Sequence, residues 1–248
     1  MGSRKRVFVL GGAGGIGAAG VRAMVEAGWR IVVADRVAVP PDLGAELTLR
    51  ADAADAGQVE SAVAAAAGAL GGLDAAWSHA GVQVVGTVES VDLERLDLSW
   101  AINVRAHALV ARSVIPHLRA AGGGALLFTA SNSGVIVEPS TLAYNTTKAA
   151  LVAMTRQIAL DYAPERIRVN VLCPGWVDTP FNSPAWGQMG GRDGFLARMP
   201  ELVPIWRVAD AEEIGRLAAF LLSDAAGYIT GQAIVADGGE TLRSGASR

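Results

Sequence analysis

Tyr144 and Lys148 stand four residues apart in Tyr144-Asn145-Thr146-Thr147-Lys148, a spacing that puts both side chains on one face of a helix. A phenol beside an ammonium can exchange a proton with a hydroxyl or carbonyl oxygen. It does so only if positive charge stabilises its anion, which Lys148 and an oxidised nicotinamide would both provide. Taken alone, such a pair is an ordinary feature of surface helices. Its company changes that. Ser131 lies 13 residues upstream, where an apolar run ends, at the sheet edge on which open α/β folds bind ligands.

A second group of residues has the chemistry to hold a dinucleotide. Leu10-Gly11-Gly12-Ala13-Gly14-Gly15-Ile16-Gly17 fits Gly-x-Gly-x-x-Gly through Gly12, Gly14 and Gly17, and Gly-x-x-x-Gly-x-Gly through Gly11, Gly15 and Gly17. Either frame lets backbone N–H groups and a helix N-terminus approach a pyrophosphate. The turn follows a predicted strand, opens a predicted helix, and has Asp35 at a strand end 18 residues after Gly17. Asp35 would accept from the adenosine ribose hydroxyls and repel a 2′-phosphate, which favours NAD over NADP. Arg36 beside it is the one residue that could pair with such a phosphate. Asp52 either meets the adenine edge or caps the next helix.

Positioning these groups requires strands that alternate with helices. Val7–Leu10 and Ile31–Ala34 are unbroken apolar runs suited to strands buried on both faces. Further strands are expected near 47–49, 73–78, 125–130, 167–172 and 233–235. Helices are expected from Ile16 up to Gly28 and near 58–70, 93–121, 144–162 and 211–222. The reading is a single-domain α/β Rossmann-type fold over 1–248, a doubly wound parallel sheet with helices on both faces. Residues 180–206 carry Trp186, Met189, Phe195, Met199 and Trp206 among glycines and prolines, and read as a substrate lid with an apolar inner face.

Composition narrows the function classes. The chain has 248 residues, 51% hydrophobic, with a formal net charge of -3 and its 21 basic residues dispersed, so nucleic acid is not an expected partner. The first apolar run, Val7 to Leu10, ends in glycines and is far too short for a signal sequence or a membrane span. Cys173 is the only cysteine, which excludes an internal disulfide and a cysteine metal cage and fits a cytoplasmic protein. His107 and His117 on the long helix lack a second ligand set, so no metal is expected and both read as solvated or partner-facing.

The glycine turn, Ser131, Tyr144, Lys148 and Asn103 together make the chain resemble the classical short-chain dehydrogenase/reductase family. The resemblance runs from Val7 to Gly239. It includes Ser78-His79-Ala80-Gly81, Trp100-Ala101-Ile102-Asn103-Val104, Pro174-Gly175-Trp176-Val177-Asp178-Thr179, Ile229-Thr230-Gly231-Gln232 and Asp237-Gly238-Gly239. It implies that Tyr144 exchanges the proton, Ser131 holds the reacting oxygen, Lys148 binds the nicotinamide ribose and lowers the Tyr144 pKa, and Asn103 anchors a water leading from Lys148 to solvent. It selects the Gly11, Gly15, Gly17 frame. The implied NAD contacts are Gly11, Gly14, Gly15, Ile16, Gly17, Asp35, Arg36, Asp52, Ala53, His79, Ala80, Gly81, Tyr144, Lys148, Pro174, Gly175, Val177 and Thr179. Hydride passes directly between substrate carbon and nicotinamide without a metal.

Three positions depart from the family pattern. Leu10 stands where threonine is usual, Gly14 where serine or a basic residue is common, and His79 where asparagine is usual; His79 reads as structural. Ser133, Glu138, Trp176 and Trp186 are the candidate substrate contacts, in a roomy and largely apolar pocket for a cyclic or hydrophobic secondary alcohol or ketone. An NADP-dependent ketone reductase is the near alternative. An extended-family epimerase would need a longer C-terminal region, and a non-catalytic dinucleotide sensor would not need Ser131, Tyr144 and Lys148. By resemblance the chain forms a homotetramer, with Ala101, Val104, Ala108, Leu109, Leu151, Met154 and Ile158 facing either a partner or the sheet.

Overall fold

The computed structural model describes residues 4–242. The apolar runs form β1 (Arg6–Leu10), β2 (Arg30–Asp35), β3 (Leu47–Arg50), β4 (Ala75–Ser78), β5 (Gly124–Thr129), β6 (Ile167–Pro174) and β7 (Ala233–Ala236). All pair in parallel, in the order β3-β2-β1-β4-β5-β6-β7. Alternate residues leave a strand on opposite faces, so one strand feeds two cores. Phe8 and Leu10 join α2 (Ala56–Leu70), α4 (Ala106–Ala120) and α5 (Leu142–Tyr162) on one side, whereas Val7 and Val9 join α1 (Gly15–Glu26) and α9 (Ala211–Leu222) on the other.

Two glycines set the second layer close to the sheet. A Cβ on Gly20 of α1 would lie 2.3 Å from the Trp77 ring, and one on Gly215 of α9 would lie 2.6 Å from the Gly20 nitrogen. The chain order reverses about β1, which has β2 on one side and β4 on the other, and ligands of open α/β sheets bind above the strand ends at such a switch.

All seven expected strands are present. The long helix expected over 93–121 is instead α3 (Leu93–Trp100), a π-helical turn over Ala101–Arg105, and α4. The wider turn carries Asn103, which is fully buried and bonded to three neighbouring segments. Residues 180–206 form a short turn and three short helices, α6 (Ser183–Gln188), α7 (Gly191–Ala197) and α8 (Met199–Leu202). They close over a small core of their own, formed by Phe195, Met199, Val203 and Val208.

His107 is not the solvated or partner-facing residue expected; it is fully buried with its ring edge-on to Phe128, 5.6 Å between centroids. Leu151 is buried in the core, and Leu109, Met154 and Ile158 pack partly against it. Among the described residues, no helix is long and apolar enough to cross a membrane.

Candidate active site

A cavity of about 510 Å³ runs along the C-terminal ends of the strands. Sheet order fixes its layout: Asp35 ends β2 and Arg36 follows it, the glycine turn follows β1, His79 to Gln83 follow β4, Ser131 follows β5, and Gly175, Trp176, Val177 and Thr179 follow β6.

At the β2 end, the Asp35 carboxylate accepts from the Ala13 N–H at 2.9 Å and the Val37 N–H at 3.1 Å, so the glycine turn itself holds it. Arg36 is exposed and lines the cavity, as do Asp52 and Ala53. Asp52 accepts from the Ala54 N–H, while the cap of α2 is Asp55, which accepts from the Gln58 N–H; the capping alternative for Asp52 is thereby overturned.

Within the turn, Gly11 and Gly15 have φ of 89° and 50°, values that favour glycine. Gly14 caps α1 and faces open space, since a Cβ there would meet nothing within 4 Å. Gly11, Gly14, Gly15 and Ile16 line the cavity. Gly17 does not: it packs under the turn, where a Cβ would lie 2.2 Å from the Gly11 carbonyl oxygen. An open helix N-terminus without acidic residues in its first turn suits a pyrophosphate, so these residues fit a dinucleotide.

At the β5 end, Tyr144, Lys148 and Ser131 face one space and are each less than a tenth exposed. The Lys148 ammonium lies 5.6 Å from the Tyr144 ring centroid and donates to the Thr129 carbonyl at 3.0 Å. Burial pushes the Tyr144 phenol up to about 12; a hydrogen bond with Ser131 opposes this, and Glu138 and Cys173 add to it. Burial lowers Lys148 to about 8. Both shifts disfavour the charged forms.

Asn103 stands behind the cavity wall. Its Oδ1 accepts from the Val82 N–H, and its Nδ2 donates to the Val82 carbonyl, Ser99 and Thr147. A Cβ on Gly81 would lie 3.3 Å from the Lys148 Nζ and 3.5 Å from the Asn103 Oδ1, so that glycine sits between the two groups.

His79 lines the cavity with Ala80 and Gly81. Burial and the Lys148 charge hold it down to about 3, hence neutral. Its Nδ1 lies 3.0 Å from the Thr129 hydroxyl, which itself accepts from the Trp77 indole N–H at 2.9 Å. Pro174, Gly175, Val177 and Thr179 also face the cavity, and the Thr179 methyl packs near Gly15.

The substrate candidates separate. Ser133 donates to Glu138 at 3.0 Å, and both line the cavity with Trp176. Trp186 does not: α6 turns it onto Phe195 in the small core of residues 180–206, 6.5 Å between ring centroids. Sequence reasoning missed Gln83, Asn132, Phe181 and Asn182, all of which line the cavity. The Gln83 Oε1 is buried without a hydrogen-bond partner among the described residues. Its place two residues after Gly81 was the only available signal.

Comparison with known proteins agrees with this arrangement. A family model described as enoyl-(acyl carrier protein) reductase matches residues 11–241. The chain is 35% identical over 247 residues to a 2,5-dichloro-2,5-cyclohexadiene-1,4-diol dehydrogenase of Sphingobium indicum, covering 96% of this chain and 98% of the relative. It is 32% identical over 245 residues to an NAD-dependent glycerol dehydrogenase of Listeria innocua, covering 96% and 94%. Among solved structures, a short-chain dehydrogenase/reductase of Serratia marcescens, solved as a double mutant, superimposes with a TM-score of 0.86 at 31% identity, covering 96% of this chain and 98% of that one. The L-sorbose reductase of Gluconobacter frateurii, complexed with NADPH and L-sorbose, gives 0.90 at 29% identity, covering 98% and 99%. With the parallel sheet, the glycine turn and the Ser131, Tyr144 and Lys148 grouping, these likenesses establish that the chain belongs to the short-chain dehydrogenase/reductase family, oxidoreductases that bind a nicotinamide dinucleotide and act on CH–OH groups.

Proposed function

We propose that the protein is an NAD-dependent dehydrogenase that interconverts a secondary alcohol and its ketone, with a cyclic or hydrophobic substrate. The observation that carries this reading is one cavity lined by Asp35 at one end and by Ser131, Tyr144 and Lys148 at the other. When bound, the nicotinamide supplies the hydride acceptor or donor. Tyr144 takes the proton from the substrate hydroxyl in oxidation and returns it in reduction. Ser131 holds the substrate oxygen. Lys148 binds the nicotinamide ribose and favours the phenolate electrostatically. Asn103 anchors a water that links Lys148 to solvent.

For the cofactor, the Asp35 carboxylate at the end of β2 is held by two backbone N–H groups, and its charge, which would repel a 2′-phosphate, supports NAD. Exposed Arg36 supports the alternative, NADP, and the named relatives include both an NAD-dependent enzyme and an NADPH complex. Comparing kcat/KM for the two dinucleotides decides, and a preference for NADP overturns the NAD assignment.

For the substrate, Val82, Trp176 and Phe181 offer apolar walls, with Gln83, Ser133, Glu138 and Asn182 as polar groups among them. A cyclic diol dehydrogenase among the relatives supports a ring substrate. Segment 180–206 serves as the lid. A homotetramer in the cytoplasm completes the reading, and light scattering tests its size.

A further inference from the structure

Glu240 stands just outside the cavity lining, in the turn Glu240–Leu242 after β7. No basic side chain pairs with it among the described residues. Its two oxygens are shared between neutral donors from separate elements: Asn132 Nδ2 donates to Oε2 at 2.9 Å, and Trp176 Nε1 donates to Oε1 at 3.0 Å. Both donors line the cavity. Asn132 then accepts the Ser131 hydroxyl at Oδ1, 3.1 Å away. Trp176 packs its ring edge against Phe195 of the lid's core, 5.3 Å between centroids.

The surroundings seat the carboxylate. Asp237 accepts from the Gly239 and Thr241 N–H groups, which bends the chain back, and a Cβ on Gly175 would come within 3.1 Å of the Glu240 Oε2.

We propose that Glu240 is a positioning residue for the reaction at Tyr144: it fixes the polarity of the Ser131 hydrogen bond through Asn132 and the substrate wall through Trp176. The reaction role rests on the reading of Ser131 given above. An ionised carboxylate only accepts, so Asn132 must turn its amide nitrogen to Glu240 and its oxygen to Ser131. The Ser131 proton is then engaged, its oxygen also accepts from the Ser133 N–H at 3.2 Å, and no Ser131 donor faces the cavity. A protonated Glu240 can donate to the Asn132 Oδ1 instead; the amide turns over, its nitrogen donates to Ser131, and the Ser131 proton is released toward the substrate oxygen.

Both protonation states are accessible near neutrality. Burial, with Glu138 and Asp237 nearby, raises Glu240 to about 7 against the lowering effect of its two N–H donors. Glu138 lies in the loop after β5 and Asp237 in its own turn; Lys148 on α5 and Arg36 after β2 are the cations lining the same cavity.

Glutamine at 240 separates this role from simple packing. Its amide offers one acceptor and one donor, and the Trp176 indole can only donate, so in Glu240→Gln the donor must face Asn132 and force the amide over. With Trp176→Phe added, the glutamine oxygen is free to accept from Asn132, and the original polarity returns. Kinetics of the four proteins across the neutral range should show Glu240→Gln holding kcat at the wild type's low-pH level, with the Ser131 proton facing the substrate oxygen, and Glu240→Gln with Trp176→Phe about tenfold or more lower, with the NAD Kd steady. Equal kcat for Glu240→Gln in both backgrounds overturns the proposal. If Glu240→Gln does not fold, Asn132→Ala tests the same bridge, and kcat should lose its inflection near neutral pH; a retained inflection overturns it.

A readout without turnover keeps the functional reading separate. In ¹⁵N-tryptophan-labelled protein, the Trp176 indole resonance, assigned by Trp176→Phe, should titrate with a midpoint of about 7. A resonance that does not move across the neutral range overturns the clamp. A moving resonance with no turnover of any secondary alcohol overturns the functional reading and leaves the clamp standing.

Discussion

Burial dominates the chemistry of the two central residues, pushing Tyr144 up to about 12 and Lys148 down to about 8. Alcohol oxidation needs the phenolate, so kcat/KM for oxidation should rise with pH while that for ketone reduction falls; a pH-rate profile that is flat in both directions contradicts the proton role. Tyr144→Phe should lower turnover roughly 1000-fold and leave dinucleotide binding intact. Lys148 also affects stability. Its folded-state pKa lies below the ordinary 10.5, so its contribution to stability is present above that value and lost as pH falls through about 8. At pH 7 the buried ammonium therefore destabilises the fold. Lys148→Met should raise the unfolding free energy by on the order of 1–3 kcal/mol in urea while abolishing activity; a less stable variant would show that the charge is compensated in the folded chain.

Elements decide how closely these groups meet, and the sequence revealed them unevenly. Strands such as β1, β2 and β5 were legible because four consecutive apolar residues, as in Val7–Leu10, have few other uses in a chain of this composition. The π-helical turn at Ala101–Arg105 was not, because periodicity averages over it and its cause is tertiary: buried Asn103 bonds to Val82, Ser99 and Thr147. Asn103→Leu should lower stability by about 1–3 kcal/mol by leaving the Val82 N–H without its acceptor, as measured by denaturant unfolding. The crossing of α1 and α9 was equally hidden, since nothing in Gly20 or Gly215 alone says that the two backbones touch. Gly215→Ala should cost about 1–3 kcal/mol through overpacking, read as a lower Tm with an unchanged preference between dinucleotides. A neutral substitution would mean that the helices separate easily.

For the whole molecule, the sheet order brings distant segments of the chain to one edge, and this is why the site was largely readable and partly not. Gly11, Asp35, Ser131, Tyr144 and Lys148 each carry a local signal of residue type at a strand end or helix start. Trp186 carried a similar signal and went elsewhere, because an aromatic residue can equally serve a small core under residues 180–206. Glu240 had no signal of its own; only the fold brings the turn after β7 behind Asn132 and Trp176. The central claim joins the two ends of the cavity, and one assay reads both. Reduced-nicotinamide absorbance should appear when wild-type protein is incubated with cyclic secondary alcohols and NAD, more slowly with NADP, and not with Tyr144→Phe. Turnover retained by Tyr144→Phe, or absent from the wild type with either dinucleotide across the alcohol panel, would contradict the account.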